Sequence, residues 1–108
     1  MSDTLPAPWP TAVICGSTKH MDRLHAAAEA LTRLGYAVHM PHLVGVDDKL
    51  AAMLADMWRA LIAHAAVVVV VPKPDGTLGE ATAAEAAYAR ELGVPVRSLD
   101  NVTPRQAT

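Results

Sequence analysis

The sequence predicts an α/β fold, a small three-layer sandwich built on a parallel sheet, and three observations carry that prediction. Short apolar runs alternate with stretches whose apolar residues recur at helical spacing. The run A-A-V-V-V-V-V at 65–71 is continuous rather than alternating, as expected of a central parallel strand covered on both faces. Gly35 stands just past the first helical stretch as a left-handed cap, and Gly93 follows the last.

Taken in order, T-A-V-I-C (11–15) reads as a buried strand. From Met21 the positions Leu24, Ala27, Ala28, Leu31 and Leu34 share one helical face. Y-A-V-H-M (36–40) is a short strand stopped by Pro41, and Asp47 with Asp48 opens a second helix whose stripe is Leu50, Met53, Leu54, Met57, Leu61 and Ile62. The valine strand follows, then a helix over 80–92 and a strand P-V-R-S-L (95–99). Four strands, five at most, thus alternate with helices in a Rossmann-like sandwich with right-handed crossovers. In such sheets ligands bind beyond the carboxyl ends of the strands, where strand order reverses. That rule selects two loops, Gly16-Ser17-Thr18 after the first strand and 73–79 after the valines.

With 108 residues, 52% of them hydrophobic, the chain is long enough for one core, and a single domain is expected over 11–100. Pro6, Pro8 and Pro10 make residues 1–10 a flexible, extended leader, and 101–108, with Pro104, a polar flexible tail. Nine Lys plus Arg against eleven Asp plus Glu leave a formal charge of −2, with no basic face for polymeric nucleic acid. The N-terminus has no cationic start or apolar core of a signal peptide, and the longest apolar run, 65–72, is too short to cross a bilayer, so no membrane partner and a cytoplasmic location are expected. The lone Cys15 fits a reducing compartment as a small buried thiol. No His-x-x-x-His pair accompanies it, so neither a metal nor another cofactor is called for.

The loop C-G-S-T-K-H (15–20) places Gly16, Ser17 and Thr18 at a strand-to-helix turn, where free N–H groups and the helix dipole favour an anion, with His20 within reach of a phosphate. On spacing alone, Ser17 or Thr18 as a plain helix cap is the better reading. In the second loop, P-K-P-D-G-T-L-G-E-A-T-A-A-E has no Walker lysine after its last glycine. Thr82 and Glu85, three apart, share a helical face, while Glu80 points elsewhere; the surrounding alanines let this helix lie close to its neighbours.

Strand-C-G-S-T, the valine strand and G-x-x-G-E-x-T-x-x-E-x-x-Y-A-x-x-L-G-x-P-V together resemble the nucleoside 2-deoxyribosyltransferase-like superfamily, which includes 2′-deoxynucleoside 5′-monophosphate N-hydrolases. The likeness spans about residues 11–99 and is most specific over 76–96. It implies that Glu85 attacks the anomeric carbon of a sugar, and that Gly16, Ser17 and Thr18 bind sugar or phosphate, with Gly76, Gly79 and Thr82 completing the substrate site. Asp75 and Glu80 are the candidate acids for the departing base. The sequence departs from the family where relatives keep aspartates, at Trp58 and Ala66, and where many keep a tyrosine ahead of the first glycine, at Val13 and Ile14.

Two functions are therefore expected as alternatives. One is hydrolysis or transfer at the N-glycosidic bond of a small nucleoside or nucleoside 5′-monophosphate; the other is a non-catalytic nucleotide-binding module of the same fold. A third, a cytokinin phosphoribohydrolase of the lysine decarboxylase-like type, ranks last because P-D-G-T-L-G-E fits P-G-G-x-G-T-x-x-E poorly. The apolar bulk of Met53, Met57, Trp58 and Leu61 exceeds what one side of a small sheet needs, so a homodimer through the second helix is expected.

Overall fold

A computed structural model describes residues 9–42 and 45–104. Its elements are β1 (Thr11–Cys15), α1 (Met21–Arg33), β2 (Ala37–His39), α2 (Asp48–Ala63), β3 (Val67–Val70), α3 (Glu80–Glu91) and β4 (Val96–Ser98), with single 3-10 turns at Thr18–His20 and Leu99–Asn101. The strands form one parallel sheet in the order β2-β1-β3-β4, and the fold is a small Rossmann-like α/β sandwich, as the alternation predicts. The chain steps outward from β1 to β2, then returns past β1 to β3, so strand order reverses between β1 and β3.

The pleat divides the core in two. Ala12 and Ile14 of β1 and Val67 and Val69 of β3 face α1, packing on Leu24, Ala27 and Leu31. Val13, Cys15 and Val68 face the other way, toward Ile62 of α2 and Ala89 of α3, with Trp58, Leu61 and Tyr88 at the edge. These strand residues are buried on both faces, which explains the unbroken apolar run.

Local signals account for the helix ends. Asp47 accepts from the Leu50 amide and caps α2. Gly35 ends α1 at φ +98°. The stripe expected on α2 is only partly used: Ile62 alone is fully buried, while Met53 and Met57 are 48% and 52% exposed.

The expected leader lies outside the described residues except for Trp9 and Pro10. Fold contacts continue past residue 100: Val102 packs on the α1-side core and the Tyr36 hydroxyl donates to the Thr103 carbonyl at 3.0 Å. A side chain anchored in that core is what carries the chain beyond the boundary drawn from polarity alone.

Two ties hold the switch-point loops together. The Val71 amide donates to the Cys15 carbonyl at 2.9 Å, and Arg23 Nε of α1 donates to the Pro72 carbonyl at 3.1 Å. Gly16 sits in this junction with no room for a side chain, since a Cβ there would lie 2.6 Å from Leu24 Cδ2 and 3.2 Å from the Val71 carbonyl oxygen. Gly16→Ala is expected to destabilise the fold by about 1–3 kcal/mol through overpacking, measured as a lower urea midpoint at unchanged slope. An unchanged midpoint would show that the junction gives way freely.

Candidate active site

Because β1 and β3 end side by side, the loops that follow them open a cleft at the carboxyl edge of the sheet. The cleft measures about 710 Å³. Its floor and near wall come from Gly16, Ser17, Thr18, Lys19 and His20. Pro41 and His42, just past β2, and Val46, Ala51, Leu54, Ala55 and Trp58, leading into and along α2, form the far wall. Lys73 and the first turns of α3, Gly79 through Thr82 with Glu85, close it.

Most residues singled out from the sequence meet here: Gly16, Ser17, Thr18, His20, Gly79, Glu80, Thr82 and Glu85. Ser17 also fills the plainer role, since its hydroxyl accepts from the Lys19 amide at 3.2 Å and caps the 3-10 turn. Thr82 is 4% exposed and shares the cleft with Glu85, as three-residue spacing requires. Gly79 begins α3 without any side-chain cap, so the free amides of that first turn lie at the cleft beside Lys73, whose Cε is 3.7 Å from where a Gly79 Cβ would be.

Two candidates fall elsewhere. Asp75 and Gly76 lie in an exposed turn outside the cleft. Asp75 Oδ1 accepts from the Thr77 hydroxyl at 2.7 Å and from the Thr77 amide at 2.9 Å, and those bonds hold its carboxyl below the usual carboxylate range. A group kept ionised and facing solvent is the wrong acid for a departing base. Gly76, at φ +86°, serves the turn by donating to the Lys73 carbonyl. Glu80, expected to point away, lines the cleft and, among the described residues, is the other carboxylate on it.

Glu85 is half-buried on α3, and loss of solvent pushes its carboxyl up to about 7, opposed by a hydrogen bond with the Cys15 thiol. Burial first, then the Glu85 charge, pushes Cys15 up to about 12, while a hydrogen bond with Trp58 acts the other way. Sequence reasoning placed Cys15 in the core but not against Glu85. The period-2 alternation of β1 contained that signal, because Cys15 shares its face with Val13 and so looks toward α2 and α3. Lys19 and His42 were likewise not assigned to the site, and Trp58, weighed mainly as an interface anchor, stands in the cleft wall.

Among the described residues no three His, Cys, Asp or Glu side chains are grouped to hold a metal ion, and no helix is long and apolar enough to cross a membrane. No protein-family model matches the chain, and no curated protein matches it in sequence.

The elevated Glu85 value carries a signed consequence for stability. Between its ordinary value of 4.5 and about 7 the folded state holds a proton that the unfolded state has lost, so stability falls as pH rises through that window and levels off above it. Glu85→Gln removes the titration. Its melting temperature relative to wild type should therefore climb from pH 5 to pH 8, and a difference constant across that range would contradict a buried carboxyl.

Proposed function

We propose that this protein cleaves or transfers the N-glycosidic bond of a small nucleoside 5′-monophosphate, with Glu85 as the nucleophile. The observation that carries the proposal is a half-buried carboxyl, raised to about 7, on the wall of an otherwise largely apolar cleft at the switch point of a parallel sheet. The resemblance of 76–96 to nucleoside 2-deoxyribosyltransferase-like proteins, with Glu85 in the matching place, supports the same chemistry.

In this scheme the Glu85 carboxylate bonds to the anomeric carbon as the carbon–nitrogen bond breaks, and the electron pair leaves with the base, which takes a proton. Water, or a second base in a transfer, then attacks the same carbon and releases Glu85. Positive charge developing on the sugar ring is stabilised by the adjacent carboxylate. Lys19, Lys73, His20 and the uncapped first turn of α3 gather at the cleft as donors for a phosphate, which favours the monophosphate over the free nucleoside. With Asp75 turned to solvent, Glu80 is the carboxyl on the cleft that remains to protonate the base.

A second reading has an observation of its own. Trp58 and Ala66 occupy positions where the family keeps aspartates, and Trp58 offers the cleft an indole rather than an acid. A nucleotide-binding module without turnover would suit that arrangement, and its sign would be thermal stabilisation by a monophosphate with no base released.

Chromatography after incubation with a panel of nucleosides and monophosphates separates the two. Base release is expected to rise with pH through about 7 as Glu85 ionises, and to fall at least about 10³-fold in Glu85→Gln. Base release that persists in Glu85→Gln would remove Glu85 from the reaction.

We also propose self-association through α2, whose Met53 and Met57 sit one turn apart and half exposed. Light scattering at micromolar concentration should give a dimer, and Met53→Lys with Met57→Lys a monomer of unchanged circular dichroism. A monomeric wild-type chain would overturn this.

A further inference from the structure

The walls of the cleft differ in chemistry. Ala51, Leu54, Ala55 and Trp58 of α2 stand at the spacing of one helical face, and all of them line the cleft, with Val46 just ahead of them. Asp48, Lys49, Asp56 and Arg59, the charged residues of α2, do not line it, and Asp56 and Arg59 pair with each other at 3.7 Å. Among the described residues, His42, which is exposed, is the polar side chain on this wall. Lys19, His20 and Lys73 come instead from the loops after β1 and β3.

Trp58 is the largest apolar side chain on the cleft. Its indole is half-buried, packed on the cluster of Val13, Cys15, Ile62 and Val68, and it still borders the cavity. A flat ring held against a packed core is a rigid platform for another ring. Trp58 and Glu85 also both line a smaller groove of about 350 Å³ between α2 and α3, so the two stand together where cleft and groove adjoin.

From this arrangement we propose that Trp58 stacks on the heteroaromatic base of the nucleotide, and that the site takes a purine nucleoside 5′-monophosphate in preference to a pyrimidine one. The preference rests on the glycosidic reading of Glu85 for where the base lies: the base is bonded to the carbon that Glu85 attacks, so it lies within a ring's width of that side chain. Of the surfaces there, the loops with Lys19, His20 and Lys73 suit the phosphate. The α2 face, whose side chains offer no charge and no hydrogen-bonding group beyond the indole N–H, suits the base. Such a wall grips a base by its face and leaves its edge unread, so affinity follows the stacked area, larger for two fused rings than for one.

The test titrates 2′-deoxyadenosine and 2′-deoxycytidine 5′-monophosphates, and 2-deoxyribose 5-phosphate as the base-free control, by calorimetry into Glu85→Gln protein carrying Trp58, Trp58→Phe or Trp58→Leu. The purine nucleotide should bind about 2–10-fold more tightly than the pyrimidine one. Trp58→Leu should weaken the purine nucleotide about 5–150-fold and leave the sugar phosphate unchanged, and Trp58→Phe should recover most of that loss. In Trp9→Phe, where Trp58 is the remaining tryptophan, the purine nucleotide should quench the indole fluorescence and the sugar phosphate should not. This fluorescence arm leaves Trp58 intact and decides alone if Trp58→Leu does not fold. Equal weakening of all three ligands in Trp58→Leu, no weakening of any, or no binding of either nucleotide would overturn the stacking role. Quenching by the purine nucleotide with no base released by wild type would uphold Trp58 and remove the glycosidic reading of Glu85. Base release by Trp58→Leu at the wild-type KM would keep that reading and remove Trp58 from it.

Discussion

Parallel pairing of β1 with β3, from Ala12 opposite Val67 to Cys15 opposite Val70, lies at the centre of the sheet, where side chains cover both faces and no water competes for the backbone. A slip of one residue would turn Ala12 and Ile14 toward α2 and α3, and Cys15 toward α1, so the register that builds the core also decides what lies under the cleft. The crevice exists because the chain leaves this pair in opposite directions, to β2 on one side and β4 on the other. Site and core are thus products of one ladder.

The electrostatics of the site follow from its layering. Donors that suit an anion, Lys19, Lys73 and the first amides of α3, come from the loops and the helix end at the edge of the sheet. Glu85, whose carboxyl is raised by burial, sits more than a turn further along α3 and borders a groove with Ala81, Ala84, Trp58 and Ala55. Alanine is what brings this about: Ala86 and Ala89 let α3 lie close to the sheet, and Ala81 leaves the space that the cleft and groove share.

Much of this was legible in the residues. The valine run, the helical stripe on Leu24, Ala27 and Leu31, and the cap at Gly35 each rest on a local rule that no tertiary contact overrode. Glu85 and Thr82 could be placed together by helical spacing alone. What escaped depends on contacts across the fold. Asp75 offered a carboxylate in a glycine-rich loop, but whether such a loop folds inward is set by bonds such as those of Thr77. Val102 reads as one apolar residue in a polar tail, and only the position of α1 shows that a core surface awaits it. The α2 stripe shows that periodicity says which residues share a face and not whether anything covers that face.

The sparse burial of α2 bears on how the protein moves. With Ile62 as its one fully buried residue, this helix buries fewer side chains completely than α1 or α3, each of which buries three. Segments of that kind open below the free energy of global unfolding, and amide exchange in α2 would then run ahead of exchange in β1 and β3. Because α2 carries the Trp58 wall, such openings would briefly merge cleft and groove into one channel around Glu85. How long the two cavities stay separate is then governed by the excursions of one amphipathic helix, on a clock separate from that of the sheet beneath it.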